Sequence, residues 1–358
     1  MRVAITGAGG FLGTAMTRAF LADGYKVRAA DLARADLSVH RELGAETSEC
    51  DVTRSEHLEA VLDGVDIVVH AAGIFDFTAP DELLWAVNAD SVRLVCEAAA
   101  SQGVKRMVHI SSSGVYGRCG LGVAEDHPKV PVMSYERSKW DGEQIAWDRS
   151  ASLGLPLTVL RPTLIYGGGS RYGLAPAIAL FALRKARGLP TLPVATGGPV
   201  GHLVHVDDVA AAAVLLARSD KALGRAFNAA DDTPVHAGDL IRALADATGV
   251  NARGMALPWF VARLYPLLRP MIRGFVVREN RRIAASWARL VEREELESAL
   301  SPRLDLDFFD YMLANHSYDT SALKGLGFEC KYADPYKGIA LTGDWYRAHR
   351  WLPPLAAT

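Results

Sequence analysis

Cysteine is scarce in this sequence. Cys50, Cys96, Cys119 and Cys330 are its four, scattered without the close spacing of a metal site or a redox pair. That distribution excludes a disulfide framework, predicts reduced thiols and gives no reason to expect a metal. Surplus charge is missing too: a formal net charge of −2 removes any general attraction to nucleic acid or to anionic membranes. No transmembrane segment is expected, because a bilayer span needs roughly 20 mostly uncharged apolar residues. The richest apolar stretch, residues 257–277, is interrupted by Arg263, Arg269 and Arg273 and by Pro258, Pro266 and Pro270. Repeats and low-complexity tracts are absent as well. Arg2 to Thr6 already reads as a strand, without the basic and apolar regions of a leader, so a cytoplasmic chain is expected. What remains is ordinary globular composition, half hydrophobic and 22% charged, with room in 358 residues for one large or two modest domains.

The first local signal is N-terminal. "MRVAITGAGGFLGTAMTRAFLADGYKVRAADL" runs from an apolar strand through Gly7, Gly10 and Gly13 into a helical pattern ending near Gly24. A second strand follows and stops at Asp31. Glycines there let the backbone approach a pyrophosphate. The unsatisfied amides at the helix start, where Phe11 and Leu12 stand, act with the helix dipole to stabilise the anion. Asp31 can accept hydrogen bonds from both adenosine ribose hydroxyls and would repel a 2′-phosphate, which favours NAD over NADP. Arg34 is close enough in sequence to blunt that preference. A glycine triplet alone is weak evidence; here the strand–turn–helix–strand context and the terminal acid agree with it.

The alternation continues. Residues 45–50 read as a third strand closed by Asp51 and Val52, and 65–73 as a fourth ending in Ala71, Ala72 and Gly73. Helical spacing covers 83–100; a fifth strand over 104–113 ends in Ser111, Ser112 and Ser113, and a sixth over 155–163 ends in Pro162 and Thr163. Strands alternating with helices predict an α/β fold with a parallel sheet covered on both faces, and ligands at the carboxyl ends of its strands. The segments singled out above all fall on that edge.

"VMSYERSKWDGE" (132–143) then places Tyr135 and Lys139 at i and i+4, on one face of a helix. A lone pair of this kind is usually surface decoration. Next to a nucleotide fold and a serine run it reads as acid–base machinery. An ammonium beside a phenol favours the phenolate, and lowering a tyrosine by about three units takes roughly 4 kcal/mol of differential stabilisation.

As a set these residues resemble the extended short-chain dehydrogenase/reductases, also called the NAD-dependent epimerase/dehydratase family. The resemblance rests on "TGAGGFLG" (6–13), Asp31, "DV" (51–52), "HAAG" (70–73), Asn88, "SSSGVYG" (111–117), "YERSK" (135–139), "RPTLIYG" (161–167) and "HVDDVA" (205–210). It spans about residues 1–235 and, more loosely, 319–328. It implies a Rossmann-type doubly wound parallel sheet with a smaller, mainly C-terminal substrate-binding region. Residues 1–166 and 200–236 would form the NAD-binding domain, and 167–199 with 237–358 the substrate-binding region, folded against it with the cleft between them. It also implies a catalytic Ser112–Tyr135–Lys139 triad, with Ser111 buried at the strand end. Lys139 would bind the nicotinamide ribose, Asp51 and Val52 the adenine region, and Ala72 and Gly73 the cofactor ribose. Ala71, Asn88, Ser111, Tyr135, Pro162 and Thr163 join the cofactor contacts by the same resemblance. Asp208 reads instead as a helix N-cap. A homodimer is a family-based expectation.

Departures from the family's branches narrow the substrate. Ser113 and Gly114 stand where sugar dehydratases carry an Asp–Glu pair, so dehydration is not expected. Leu164 precedes Tyr166 with no asparagine of the sugar-nucleotide pattern, and "RPTLIYG" looks like the 3β-hydroxysteroid dehydrogenase branch. Ile74, Phe75 and Phe77 make the mouth apolar, and Phe75, Ser113 and Tyr166 are the expected substrate contacts. Residues 257–277 read first as core, since apolar stripes more often pack than bind, and otherwise as a lid or as a peripheral membrane contact helped by Arg278, Arg281 and Arg282. The expectation is an NAD(H)-dependent oxidoreductase interconverting a secondary alcohol and a ketone on a fairly apolar small molecule. A sugar-nucleotide epimerase is the alternative, and a catalytically silent NAD-sensing regulator the remoter one.

Overall fold

The computed structural model describes residues 1–76, 79–255 and 259–355, and of residues 259–268 and 307 the backbone only. Phe77, residues 257 and 258, and the side chains of 259–268 therefore lie outside the described residues. Seven strands form one parallel sheet: β1 (Arg2–Thr6), β2 (Lys26–Asp31), β3 (Glu46–Glu49), β4 (Ile67–His70), β5 (Arg106–Ile110), β6 (Leu157–Pro162) and β7 (Ala226–Ala229). Their order is β3-β2-β1-β4-β5-β6-β7. The chain leaves β1 in one direction and returns on its other side at β4, and that reversal opens a crevice beyond the carboxyl ends of the two strands.

The central strands are apolar on both sides because helices cover both faces, whereas the edge strand β3 is polar and partly exposed. Val3, Ile5, Val69, Val108 and Ile110 pack in one core with residues of α1 (Phe11–Ala22) and of the alanine-rich helix Val206–Arg218. Ala4, Val68, Met107, Leu157 and Val159 pack in another with Ser55–Leu62, Ser91–Ser101 and α2 (Ser134–Leu153). Each fully buried aliphatic side chain contributes roughly 1.5–3 kcal/mol. The fourth and fifth strands stop at His70 and Ile110, short of the expected 73 and 113, because the small residues beyond them turn into loops. Strand β7, only four residues long and holding a buried Asn228, was not anticipated at all.

The chain divides into two compact units, one of residues 1–165, 204–231 and 317–331 and the other of 166–203, 232–316 and 332–358. The first holds the sheet. The second contains the helices Ala175–Ala186, Ala237–Asp246 and Pro335–Ala348, the parallel pair Thr191–Ala195 with Asn251–Met255, and α3 (Trp259–Arg293). In the first unit, His205 and not Asp208 caps Val206–Arg218: its Nδ1 accepts the Asp207 amide at 3.2 Å. Asp208 lies in the first turn, buried, and accepts the Lys331 amide at 2.8 Å.

Candidate active site

The glycine turn is built by steric necessity. Gly7 has φ +70°, and a Cβ there would meet Ala72 Cα at 2.7 Å, so the turn lies directly on the segment after β4. A Cβ on Gly13 would fall 2.1 Å from the Gly7 carbonyl, which is how α1 starts so close to β1. Gly10 caps α1 without a side-chain hydrogen bond, and Phe11 and Leu12 follow, both half-buried. Asp31, at the end of β2, accepts the Gly9 amide at 2.9 Å and the Leu32 amide at 2.7 Å, so its carboxylate is held against the turn. Asp51 accepts from the Thr53 hydroxyl and amide at 2.7 and 3.0 Å, and these bonds hold its carboxyl below the usual range. Val52 beside it is buried.

Beyond β4, Ala71, Ala72 and Gly73 are threaded past Thr6, whose hydroxyl accepts the Ala72 amide at 3.3 Å. Asn88, on a π-helical turn (Ala86–Asp90), accepts the Ile74 amide at 2.8 Å and donates to the Ile74 carbonyl at 3.1 Å and to Ser138 Oγ at 3.0 Å. Its amide thus fastens the loop from both sides. Pro162 closes β6, and Thr163 donates its amide to the Ala229 carbonyl at 3.0 Å. The Thr163 hydroxyl is buried and has no hydrogen-bond partner among the described residues.

Tyr135 is the second residue of α2 and is half-buried. Ser112, two residues beyond β5, hydrogen-bonds its side chain, and also accepts the Gly114 amide at 3.0 Å. Burial pushes the phenol up to about 12, against the Ser112 bond, which lowers it. Lys139 is buried one turn on; its Nζ donates to the Ile110 carbonyl at 2.7 Å, and a Cβ on Gly73 would sit 3.8 Å from it. Burial brings its ammonium down to about 8, and Glu143 pulls the other way. The acidified phenol expected from the Tyr–Lys spacing is therefore not a property of the chain alone: Lys139 points into the sheet edge, and desolvation of Tyr135 dominates.

Behind the triad is a buried network that sequence reasoning missed. Glu143 follows Lys139 by one further turn, fully buried, and accepts the Ser111 hydroxyl at 2.6 Å. Arg161 on β6 donates to both Glu143 oxygens at 3.0 and 2.5 Å and to the Tyr116 hydroxyl at 2.6 Å. Tyr116 in turn donates to Asn228 at 2.8 Å. The signal was the spacing Tyr135, Lys139, Glu143 at i, i+4 and i+8, which puts a third polar residue on the same face. On the same side of the sheet, Thr6 and His70 are 2.8 Å apart, and the His70 and His109 rings stack at 5.5 Å. Burial and the Lys139 charge hold both imidazoles neutral, His70 near about 3.

Of the expected substrate contacts, Phe75 and Ser113 lie in the first unit and Tyr166 in the second. Phe75 meets the Tyr135 ring edge-on at 5.0 Å and 88°. Ser113 is 2% exposed, in the 3₁₀ turn Ser113–Tyr116. Tyr166 belongs to the second unit, where a Cβ on Gly338 would sit 2.2 Å from its hydroxyl and where it lines a small cavity with Ser170, Ile178, Ile339 and Tyr346. Among the described residues no group of His, Cys, Asp and Glu is placed to hold a metal, and no helix is long and apolar enough to cross a membrane. The glycine turn, the Asp31 carboxylate clamped against it, the bare edge at Gly73 and the unpartnered Thr163 hydroxyl fit a dinucleotide at the β1–β4 crevice.

The sequence model of the NAD-dependent epimerase/dehydratase family matches residues 3–230. The chain is 33% identical over 183 residues to N-acetyl-alpha-D-glucosaminyl-diphospho-ditrans,octacis-undecaprenol 4-epimerase of Escherichia coli O157:H7, covering 49% of this chain and 54% of that protein. It thus spans about half the length of that relative. It is 28% identical over 269 residues to 4-hydroxy-2-methyl-3-oxo-4-farnesyl-3,4-dihydroquinoline-1-oxide ketoreductase of Stigmatella aurantiaca, covering 74% and 78% of the two chains. The fold superposes on UDP-glucose 4-epimerase of Thermus thermophilus, solved in complex with NAD, with a TM-score of 0.68 at 25% identity, covering 97% of this chain and 99% of the other.

Proposed function

Because the chain belongs to the NAD-dependent epimerase/dehydratase family, we propose that it is an NAD(H)-dependent oxidoreductase interconverting a secondary alcohol and a ketone on a fairly apolar small molecule. Ser112, Tyr135 and Lys139 are its catalytic residues. Gly7, Gly10, Phe11, Leu12, Asp31, Asp51, Val52, Ala71, Ala72, Gly73, Pro162 and Thr163 would hold the cofactor. NAD, when bound, supplies the two-electron acceptor or donor and, oxidised, a positive charge.

The chain's own residues handle the proton. In the reductive direction Tyr135 Oη gives its proton to the carbonyl oxygen, which becomes the product hydroxyl, and Ser112 Oγ orients the same oxygen; the oxidative direction is the reverse and needs Tyr135 deprotonated first. With a phenol near about 12, Tyr135 is protonated at neutral pH in the ligand-free chain, which suits it as the proton donor of a ketone reduction. Lys139, brought down to about 8, stands ready to exchange a proton near neutrality. Ser111 and Ile110, gripped by Glu143 and Lys139, fix the strand end from which Ser112 projects.

The observation that carries the reading is the Phe75 ring standing edge-on against the Tyr135 ring, centroids 5.0 Å apart, an apolar side chain packed on the residue proposed to transfer the proton. A relative named as a ketoreductase of a farnesylated substrate supports the same substrate class. The test is NAD-linked turnover over sterols, aryl alcohols, β-hydroxy acyl compounds and nucleotide sugars. NADH formation on an apolar secondary alcohol is expected. Turnover of nucleotide sugars alone, with no net NADH and with nucleotide released on denaturing the fresh protein, would instead establish an epimerase, the reading that the epimerase relatives favour.

A further inference from the structure

We propose that the exposed face of α3 between residues 270 and 285 docks on an anionic lipid bilayer. The helix already has an inward stripe: Val276, Ile283, Trp287 and Leu290 are buried, at spacings that keep them on one side. Its other side is not polar, as a solvated helix face would be. Met271 is 76% exposed, and Phe275 and Val277 are 53% exposed each. Met271, Phe275, Arg278 and Arg282 follow one another at i, i+4, i+7 and i+11, so two large apolar side chains and two guanidinium groups share a face.

Most of the exposed charge on this segment is basic, and the acids of the neighbouring stretch that meet the helix, such as Asp310, which pairs with Arg269 at 2.6 Å, are largely buried. Residues 270–285 contain Arg273, Arg278, Arg281 and Arg282, all exposed, against the single acid Glu279. Glu279 is half-buried and accepts from Arg282 at 2.7 Å. Large apolar groups that enter the acyl boundary, beside arginines whose stems lie along it and whose heads meet headgroup phosphates, are the pattern of a helix lying in a membrane interface. With a net charge of −2 for the whole chain, the attraction is local and acts within a screening length of about 8 Å at physiological salt.

A second copy of the chain fits this face poorly, since a two-fold contact would crowd the basic groups Arg278, Arg281 and Arg282 of both copies into one interface with Glu279 as the segment's single acid. A nucleic acid would use the arginines but leave Met271 and Val277 in water. A lipid surface uses both. This inference goes beyond the redox reading and is read out without turnover, so the two can fail separately.

The test uses the full chain with vesicles of phosphatidylcholine alone and of phosphatidylcholine mixed with phosphatidylglycerol, followed by sedimentation. The expected result is binding to the mixed vesicles only, weakened by added salt. Arg278→Gln, Arg281→Gln and Arg282→Gln together should weaken it by on the order of 100-fold, and Met271→Ser with Phe275→Ser should weaken it at low salt as well. All five positions are exposed, and melting curves verify that the variants are folded. As a second measurement, Phe275→Cys carrying a polarity-sensitive dye should shift its emission to the blue on the mixed vesicles. No binding, equal binding to neutral vesicles, binding that neither variant set changes, or unshifted emission each overturns the proposal. So does a dimer or a single-stranded oligonucleotide complex that forms through these residues while vesicles are ignored.

Discussion

At Lys139 the chain accepts a cost in stability at a position that the proposed chemistry uses. A buried ammonium lowered from 10.5 to about 8 is worth on the order of 3 kcal/mol of unfavourable desolvation. A depressed amine carries that cost fully at pH values below about 8 and sheds it as pH rises from there towards 10.5. Lys139→Met should therefore melt higher than the parent at neutral pH, with the gap closing above pH 8, while turnover is lost. Equal melting temperatures throughout would show that the Ile110 hydrogen bond offsets the burial. Glu143 is the reverse case. Glu143→Gln leaves Arg161 buried with its charge uncompensated and should cost about 3–5 kcal/mol in urea unfolding; a loss under about 1 kcal/mol, the range of an exposed pair, would contradict that account. At Asp31 the prediction concerns affinity. Asp31→Ala should weaken NAD and narrow its advantage over NADP, measured by calorimetry; a parent chain that prefers NADP would refute the role given to the carboxylate.

On the scale of elements, most of what positions the site could be read from spacing. The central strands were legible because a parallel strand buried on both faces leaves a continuous apolar run, and the polar edge strand Glu46–Glu49 was legible only from its place between the second strand and Asp51. The seventh strand was not legible, since Ala226–Ala229 is short and its Asn228 is made tolerable only by tertiary partners, Tyr116 among them. The His205 cap was also hidden, because histidine is not a usual N-cap and only coordinates show its ring nitrogen over the Asp207 amide. Helix α2 shows how closely the elements fit. A Cβ on Gly142 would fall 2.0 Å from the Asn88 carbonyl, so α2 and the π-helical turn touch along their backbones. Gly142→Ala should cost about 1–3 kcal/mol by overpacking and loosen the Asn88 grip on Ile74, which a drop in NAD affinity would register. An unchanged melting temperature and affinity would mean that the turn yields freely.

For the whole molecule, the division into two units separates what the sequence could and could not specify. The first unit contains nearly every motif, each tied to a backbone conformation or a buried contact that restricts residue type. The second holds only the end of one, Tyr166 and Gly167, and Tyr166, expected at the substrate, is seated inside that unit on Gly338. Apolar composition there fixes a core but not a ligand. If the glycine turn and Asp31 hold the cofactor as proposed, NAD at a hundred times its dissociation constant should stabilise the chain by about 2.7 kcal/mol. The most direct measurement is turnover and NAD binding in Tyr135→Phe, made side by side with the parent. Loss of a positioned proton-transfer group predicts a fall in kcat of about 10²–10⁴-fold, with NAD affinity and melting temperature nearly unchanged. Retained turnover, or equal collapse of turnover and NAD binding, would contradict the account.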